Sequence, residues 1–192
     1  MRTKYSTLLI LLFVALSSPA KSQLGFPLTS GIKSATEKVL NAYKENFAAI
    51  RGDTISATNE VEVFASTVKP DGAMECTLTH YRQPEQSAYT WEALILRTDD
   101  FAAASRKYNA CCVQLKGISV NTGSGTCKFE SDHEPTDGNK SFYSTLFTPN
   151  TAKEPFQKLR VEVLLEGDIT EWTLRVLVYD NDHKDTEGSL GK

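Results

Sequence analysis

No apolar run in the 192-residue sequence is long enough to cross a bilayer. The longest, Leu8–Leu16, has nine residues, against the roughly 20 that a helical span needs. There is no basic excess either. Lysine and arginine number 21 and aspartate and glutamate 24, which removes the cationic stripe of nucleic-acid binders. The chain lacks G-x-S-x-G, H-E-x-x-H, a Walker loop and a dinucleotide fingerprint. It also lacks C-x-x-C and any cysteine–histidine group at zinc spacing. These absences exclude the motif-bearing hydrolases, metalloproteases, nucleotide enzymes and zinc modules. No metal or cofactor is expected.

The N-terminus carries an export pattern. Arg2 and Lys4 precede the apolar run, and Ser17-Ser18-Pro19 breaks it. Ala20-Lys21-Ser22 then places small residues where a signal peptidase reads them. Residues 1–22 read as a signal peptide cut before Gln23, and the mature chain is expected to be secreted or periplasmic. No cysteine near the cut supports lipid attachment. Cleavage removes three basic residues and no acid, so the mature net charge is -6. Such a domain has no electrostatic reason to seek nucleic acid or an anionic membrane, and no stable membrane insertion is expected.

Residues 23–29 are a lead-in. Residues 30–180 read as a single α+β domain, and 181–192 as a flexible C-terminal tail. Ile32, Ala35, Val39, Tyr43, Phe47 and Ile50 recur at helical spacing, with Ser30 as a cap and Gly52 past the end. Strands follow at 60–68, 73–82 and 89–97. A second helix covers 99–117, where Phe101, Ala104, Tyr108, Cys111 and Leu115 share a face. Strand-like segments return at 118–120, 126–130, 141–148, 157–165 and 171–180. The plan is an antiparallel sheet of about six to seven strands with two amphipathic helices on one face. The halves 30–97 and 99–180 share that order without matching residues. With Gly167-Asp168 as a two-residue turn, the last hairpin would pair Val161 with Leu174, Val163 with Trp172 and Leu159 with Val176.

Cys76, Cys111, Cys112 and Cys127 are an even number in an exported chain, which favours disulfide staples. Adjacent Cys111 and Cys112 point about 100° apart on a helix, so each could reach a different strand, one taking Cys76 and the other Cys127. The same hairpin register sets Arg160 opposite Arg175, a like-charge pair. With Lys158 and Lys153 nearby, they form a candidate surface for an anion or an acidic partner.

His80 sits on the inward face of a strand, His133 in a polar loop and His183 in the tail. The carboxylates of 132–137 and 180–187 lack EF-hand spacing and read as solvated. Asn139-Lys140-Ser141 is an N-glycosylation sequon, and Asp53-Thr54-Ile55 resembles a short bacterial O-glycosylation acceptor. The sequence reads best as a non-catalytic domain that binds an unknown protein or small ligand. The alternatives are a small exported hydrolase using His80 or the carboxylates and a structural component of an envelope complex.

Overall fold

The computed structural model describes residues 31–82, 87–123, 125–133, 135–151 and 154–180. The expected signal segment, the lead-in with Ser30, Lys153, and the C-terminal segment with His183 lie outside the described residues. The order is helix, four strands, helix, five strands. Helix α1 is Ile32–Ala42, followed by β1 Arg51–Ala57, β2 Val61–Ser66, β3 Glu75–Arg82 and β4 Ser87–Thr98. Helix α2 is Phe101–Leu115, followed by β5 Ser119–Asn121, β6 Thr126–Glu130, β7 Phe142–Pro149, β8 Leu159–Gly167 and β9 Trp172–Asp180.

The nine strands form one antiparallel sheet in the order β1-β2-β3-β4-β9-β8-β7-β6-β5. Each helix is thus followed by a meander, and the two meanders meet where β4 pairs with β9. The α+β antiparallel plan holds, with nine strands in place of six or seven. The extra strand in the first half is β1. Its residues are almost all exposed, so no period-two pattern marks it. Gly52, expected beyond a helix end, instead lies in β1. A Cβ there would sit 2.8 Å from the Ala65 carbonyl oxygen of β2, so only glycine permits this approach.

Helix α1 is also shorter than its apolar stripe. It gives way at Tyr43 to a 3-10 turn, and Asn46 and Phe47 take left-handed φ angles of 50° and 57°. That conformation is unfavourable for a bulky residue. It swings Phe47 and Ile50 into the core, where Phe47 meets Tyr43 and Tyr89 at ring-centroid distances of 5.7 and 5.9 Å. The stripe correctly named inward residues, but the helix carries only its first part.

Helix α2 packs on β4, β8 and β9, whereas α1 leans on α2 and on the β5 end of the sheet. There α1 covers the sheet edge. Glu37 and Asn41, one turn apart, accept the backbone N–H groups of Ser119 and Asn121 at 3.3 Å each. Four helical residues rise about 6 Å and two strand residues about 6.6 Å, so the spacings match. Capping these donors closes an edge that could otherwise recruit another strand.

The last hairpin corrects the expected register. Val161 pairs with Val178, Val163 with Val176, Leu159 with Asp180 and Gly167 with Trp172. The turn is the four-residue loop 168–171. Asp168 Oδ1 accepts the backbone N–H of Thr170 at 2.7 Å and of Glu171 at 2.8 Å, and the Thr170 hydroxyl at 2.9 Å. This carboxylate-organised turn, not Gly167, sets the loop length. A Cβ at Gly167 would lie 2.8 Å from the Trp172 ring, so glycine is needed there for the ring. The shift is an even number of residues, so inward residues still face inward.

The inner sheet face and helices share one core. Trp91, Tyr108, Phe147, Leu78, Leu115, Leu159, Leu165 and Leu174 are its largest members from the sheet and α2. Asp100 caps α2 by accepting the N–H groups of Ala102 and Ala103.

Candidate functional site

The four cysteines are unpaired and buried. The expected staples from Cys111 and Cys112 to Cys76 and Cys127 are not formed. The packing gives the reason: α2 lies over the middle strands β4, β8 and β9, whereas Cys76 is on β3 and Cys127 on β6. Burial pushes the Cys76 and Cys111 thiols up to about 11 and raises those of Cys112 and Cys127. The thiolate is the nucleophile and metal ligand, so these groups are held in their unreactive form near neutral pH. No group of three or more histidine, cysteine or acidic side chains is placed to hold a metal ion among the described residues.

The cationic surface is likewise taken apart by the register. Arg160 pairs across the hairpin with Tyr179, and Arg175 with Leu164. The two arginines lie four residues apart along the hairpin, roughly 13 Å, so no like-charge pair arises. Arg160 Nη1 donates to the carbonyls of Gln157 and Leu159 at 2.7 and 2.9 Å. Lys158 ends a short 3-10 turn before β8. Arg175 lies between two carboxylates, with Nη1 2.6 Å from Glu166 and Nε 3.1 Å from Glu92. Burial raises the Glu92 carboxyl even so, with Arg175 opposing. Glu162 accepts the hydroxyls of Ser144 and Tyr179.

These charges belong to the outer sheet face, which no described helix covers. Both helices meet the opposite face: Tyr108 reaches Thr145, Phe101 packs on Trp172 and Tyr43 reaches Asp180. The outer face is not simply polar. Val61, Val63, Leu146, Leu164 and Leu177 lie half-buried among the paired charges.

Two histidines form contrasting clusters. His133 lies in a polar network under α2. Tyr108 Oη is 2.7 Å from Thr145 Oγ1, which is 3.0 Å from His133 Nδ1. His133 Nε2 is 3.0 Å from Asn109 Oδ1, and Asn109 donates onward to the Ser105 carbonyl at 3.0 Å. Proton counting orders the chain. The Asn109 oxygen only accepts, so Nε2 carries the hydrogen and Nδ1 accepts from Thr145. Burial, with Lys116 adding to it, lowers the His133 pKa and keeps the ring neutral. The Cys112 thiol also touches the Thr145 and Tyr108 hydroxyls. Thr145 therefore mediates between a cysteine and a histidine, both ring nitrogens of which are occupied. A nucleophile–base pair needs direct contact and a free nitrogen, and has neither here.

His80 differs. Its Nδ1 is 3.1 Å from Glu62 Oε2, its ring stacks on Tyr89 with centroids 4.3 Å apart, and Arg82 pairs with the other Glu62 oxygen. The His80 contact, reinforced by Arg82, lowers the Glu62 pKa. His80 Nε2 is buried without a hydrogen-bond partner. Sequence reasoning singled out His80 but gave it no carboxylate. Alternation on β2 could have found Glu62, which shares the inner face with Phe64.

In the loop before β7, Asp137 accepts from Asn139 and from the Tyr143 hydroxyl, which hold its carboxyl down to about 2. Those bonds account for a carboxylate read from sequence as merely solvated. Asn139 of the sequon is exposed and gives its amide to Asp137. Thr54 is exposed on β1. Comparison with protein-family models, curated proteins and solved structures finds no match for the chain.

Proposed function

We propose that the chain is an exported, non-catalytic binding domain that takes a protein partner on the outer face of its sheet. The observation carrying this reading is the make-up of that face. A merely solvated antiparallel sheet alternates apolar-in and polar-out. Here β7, β8 and β9 each turn a leucine outward, and the face's central arginine is already neutralised by Glu92 and Glu166. Half-buried aliphatics among internally paired charges suit docking of a second surface. Six adjacent strands at about 4.8 Å spacing span roughly 24–29 Å, broader than a small molecule needs. The raised thiols and the closed His133 chain add no competing chemistry.

A photo-crosslinking residue at Leu177 tests this in the native envelope, with Val113 on the exposed side of α2 as control. Discrete protein adducts from position 177 alone are expected. Equal adducts from both positions, or none from 177, would contradict the reading.

A second reading, a small hydrolase, is favoured by one observation: His80 has a carboxylate on Nδ1 and a bare Nε2, the arrangement of an oriented general base. Hydrolysis of p-nitrophenyl esters that His80→Gln abolishes would support it; a rate unchanged by that substitution would remove it.

A further inference from the structure

We infer that a groove at the β5–β6 end of the molecule is a binding site for a small zwitterion of amino-acid size. This site is separate from the outer face and does not depend on the protein-partner reading. The groove encloses about 450 Å³, within the range of small-molecule sites. It is lined by Lys44 after α1, by Thr122, Thr126 and Cys127 around the β5–β6 turn, and by Asn150 and Glu154 after β7.

Its two charges face the same space without meeting each other. The Lys44 ammonium lies over the Phe156 ring, 5.2 Å from its centroid, and has no carboxylate partner among the described residues. Glu154 accepts one bond from Gln157 Nε2 and pairs with no cation among the described residues. Opposite charges that share a groove unpaired leave both to solvent, and a ligand carrying both signs would complement both. A simple acid would meet Lys44 but be repelled by Glu154. A simple amine would face the reverse.

Asn150 supplies direction. Its Oδ1 accepts the Lys128 backbone N–H at 3.1 Å and lies 3.9 Å from the Cys127 thiol. With that oxygen committed inward, its Nδ2 donors are left for the groove. A ligand carboxylate would then sit between Lys44 Nζ and Asn150 Nδ2, with its ammonium toward Glu154. The Cys127 thiol on the floor is raised by burial and adds no charge.

Three probes of one shape separate the contributions: L-leucine carries both charges, leucinamide only the cation and 4-methylpentanoate only the anion. Titrations followed by amide chemical shifts of Thr126, Cys127, Asn150 and Thr151 are expected to saturate most tightly with leucine. Each missing charge should weaken binding about threefold to fivefold, the usual weight of an exposed ion pair. Lys44→Gln should erase the preference for leucine over leucinamide. Glu154→Gln should erase the preference over 4-methylpentanoate. Both residues are exposed, so folding should survive. Equal affinity for the three probes, or no saturable shift with any of them, would overturn the assignment.

Discussion

Neighbouring residues of β9 live under different physics. Leu174, Val176 and Val178 point to the helices and are wholly buried, whereas Arg175 and Leu177 between them face outward. The inner face is held by apolar area removed from water, with most of its polar atoms bonded, as at Tyr108, Thr145 and His133, and His80 Nε2 the exception. The outer face is held by pairing of charge, as at Glu92, Arg175 and Glu166. One face is where the chain spends its aliphatic residues on folding. The other keeps half-buried leucines among its paired charges, and the proposed partner rests on them.

Substitutions should rank accordingly in denaturant titrations. Trp91→Ala, at the centre of the inner face, should cost about 3–5 kcal/mol, through lost burial and the cavity left behind. Thr145→Val should cost about 1–3 kcal/mol. It keeps the volume but leaves His133 Nδ1 without its hydroxyl partner and removes one bond of the Tyr108 hydroxyl. Arg175→Ala should cost only about 1 kcal/mol or less, because its partners are partly solvated. Leu177→Lys should change stability by about 0.5 kcal/mol at most. A cost for Leu177→Lys approaching that of Trp91→Ala would erase the distinction between the faces.

Two further tests use titration. Asp137 is held down to about 2 from an ordinary 3.8. A depressed acid stabilises the fold above its unfolded value and loses that contribution as pH falls through the folded one. Acid unfolding between about pH 4 and 2 should therefore be shallower in Asp137→Asn. For the thiols, a rise from 9.0 to about 11 lowers the thiolate fraction of Cys76 and Cys111 about 100-fold at pH 8. Alkylation should be negligible in the native protein, and four labels should appear after unfolding without reductant. Two labels or none after unfolding would show that disulfides had formed.

Period and punctuation were enough to place most of this fold. The second helix, the central β4 and the strands β8 and β9, though not their register, were legible, because buried faces impose their spacing on the sequence. Failures came where local chemistry overrode the period. Asp168 built a longer turn than Gly167 advertised, and Phe47 entered the core from a left-handed turn. The polar, exposed edge strand β1 left no pattern at all. The site was much less legible. Pairing Arg160 with Arg175 followed from the wrong register, and the partners of His133 and His80 lie on other elements, 12 to 24 residues away in the chain. The cysteine staples were inferred from compartment, which says nothing of where α2 lies over the sheet.

The most direct test of the central claim is hydroxyl-radical footprinting of the protein in its native setting and after purification. If the outer face is occupied, Tyr81 and Leu177 should be protected in the native setting and labelled in the purified protein, while Met74 and Val113 label alike in both. Equal labelling of all four in the two states would contradict a partner on that face.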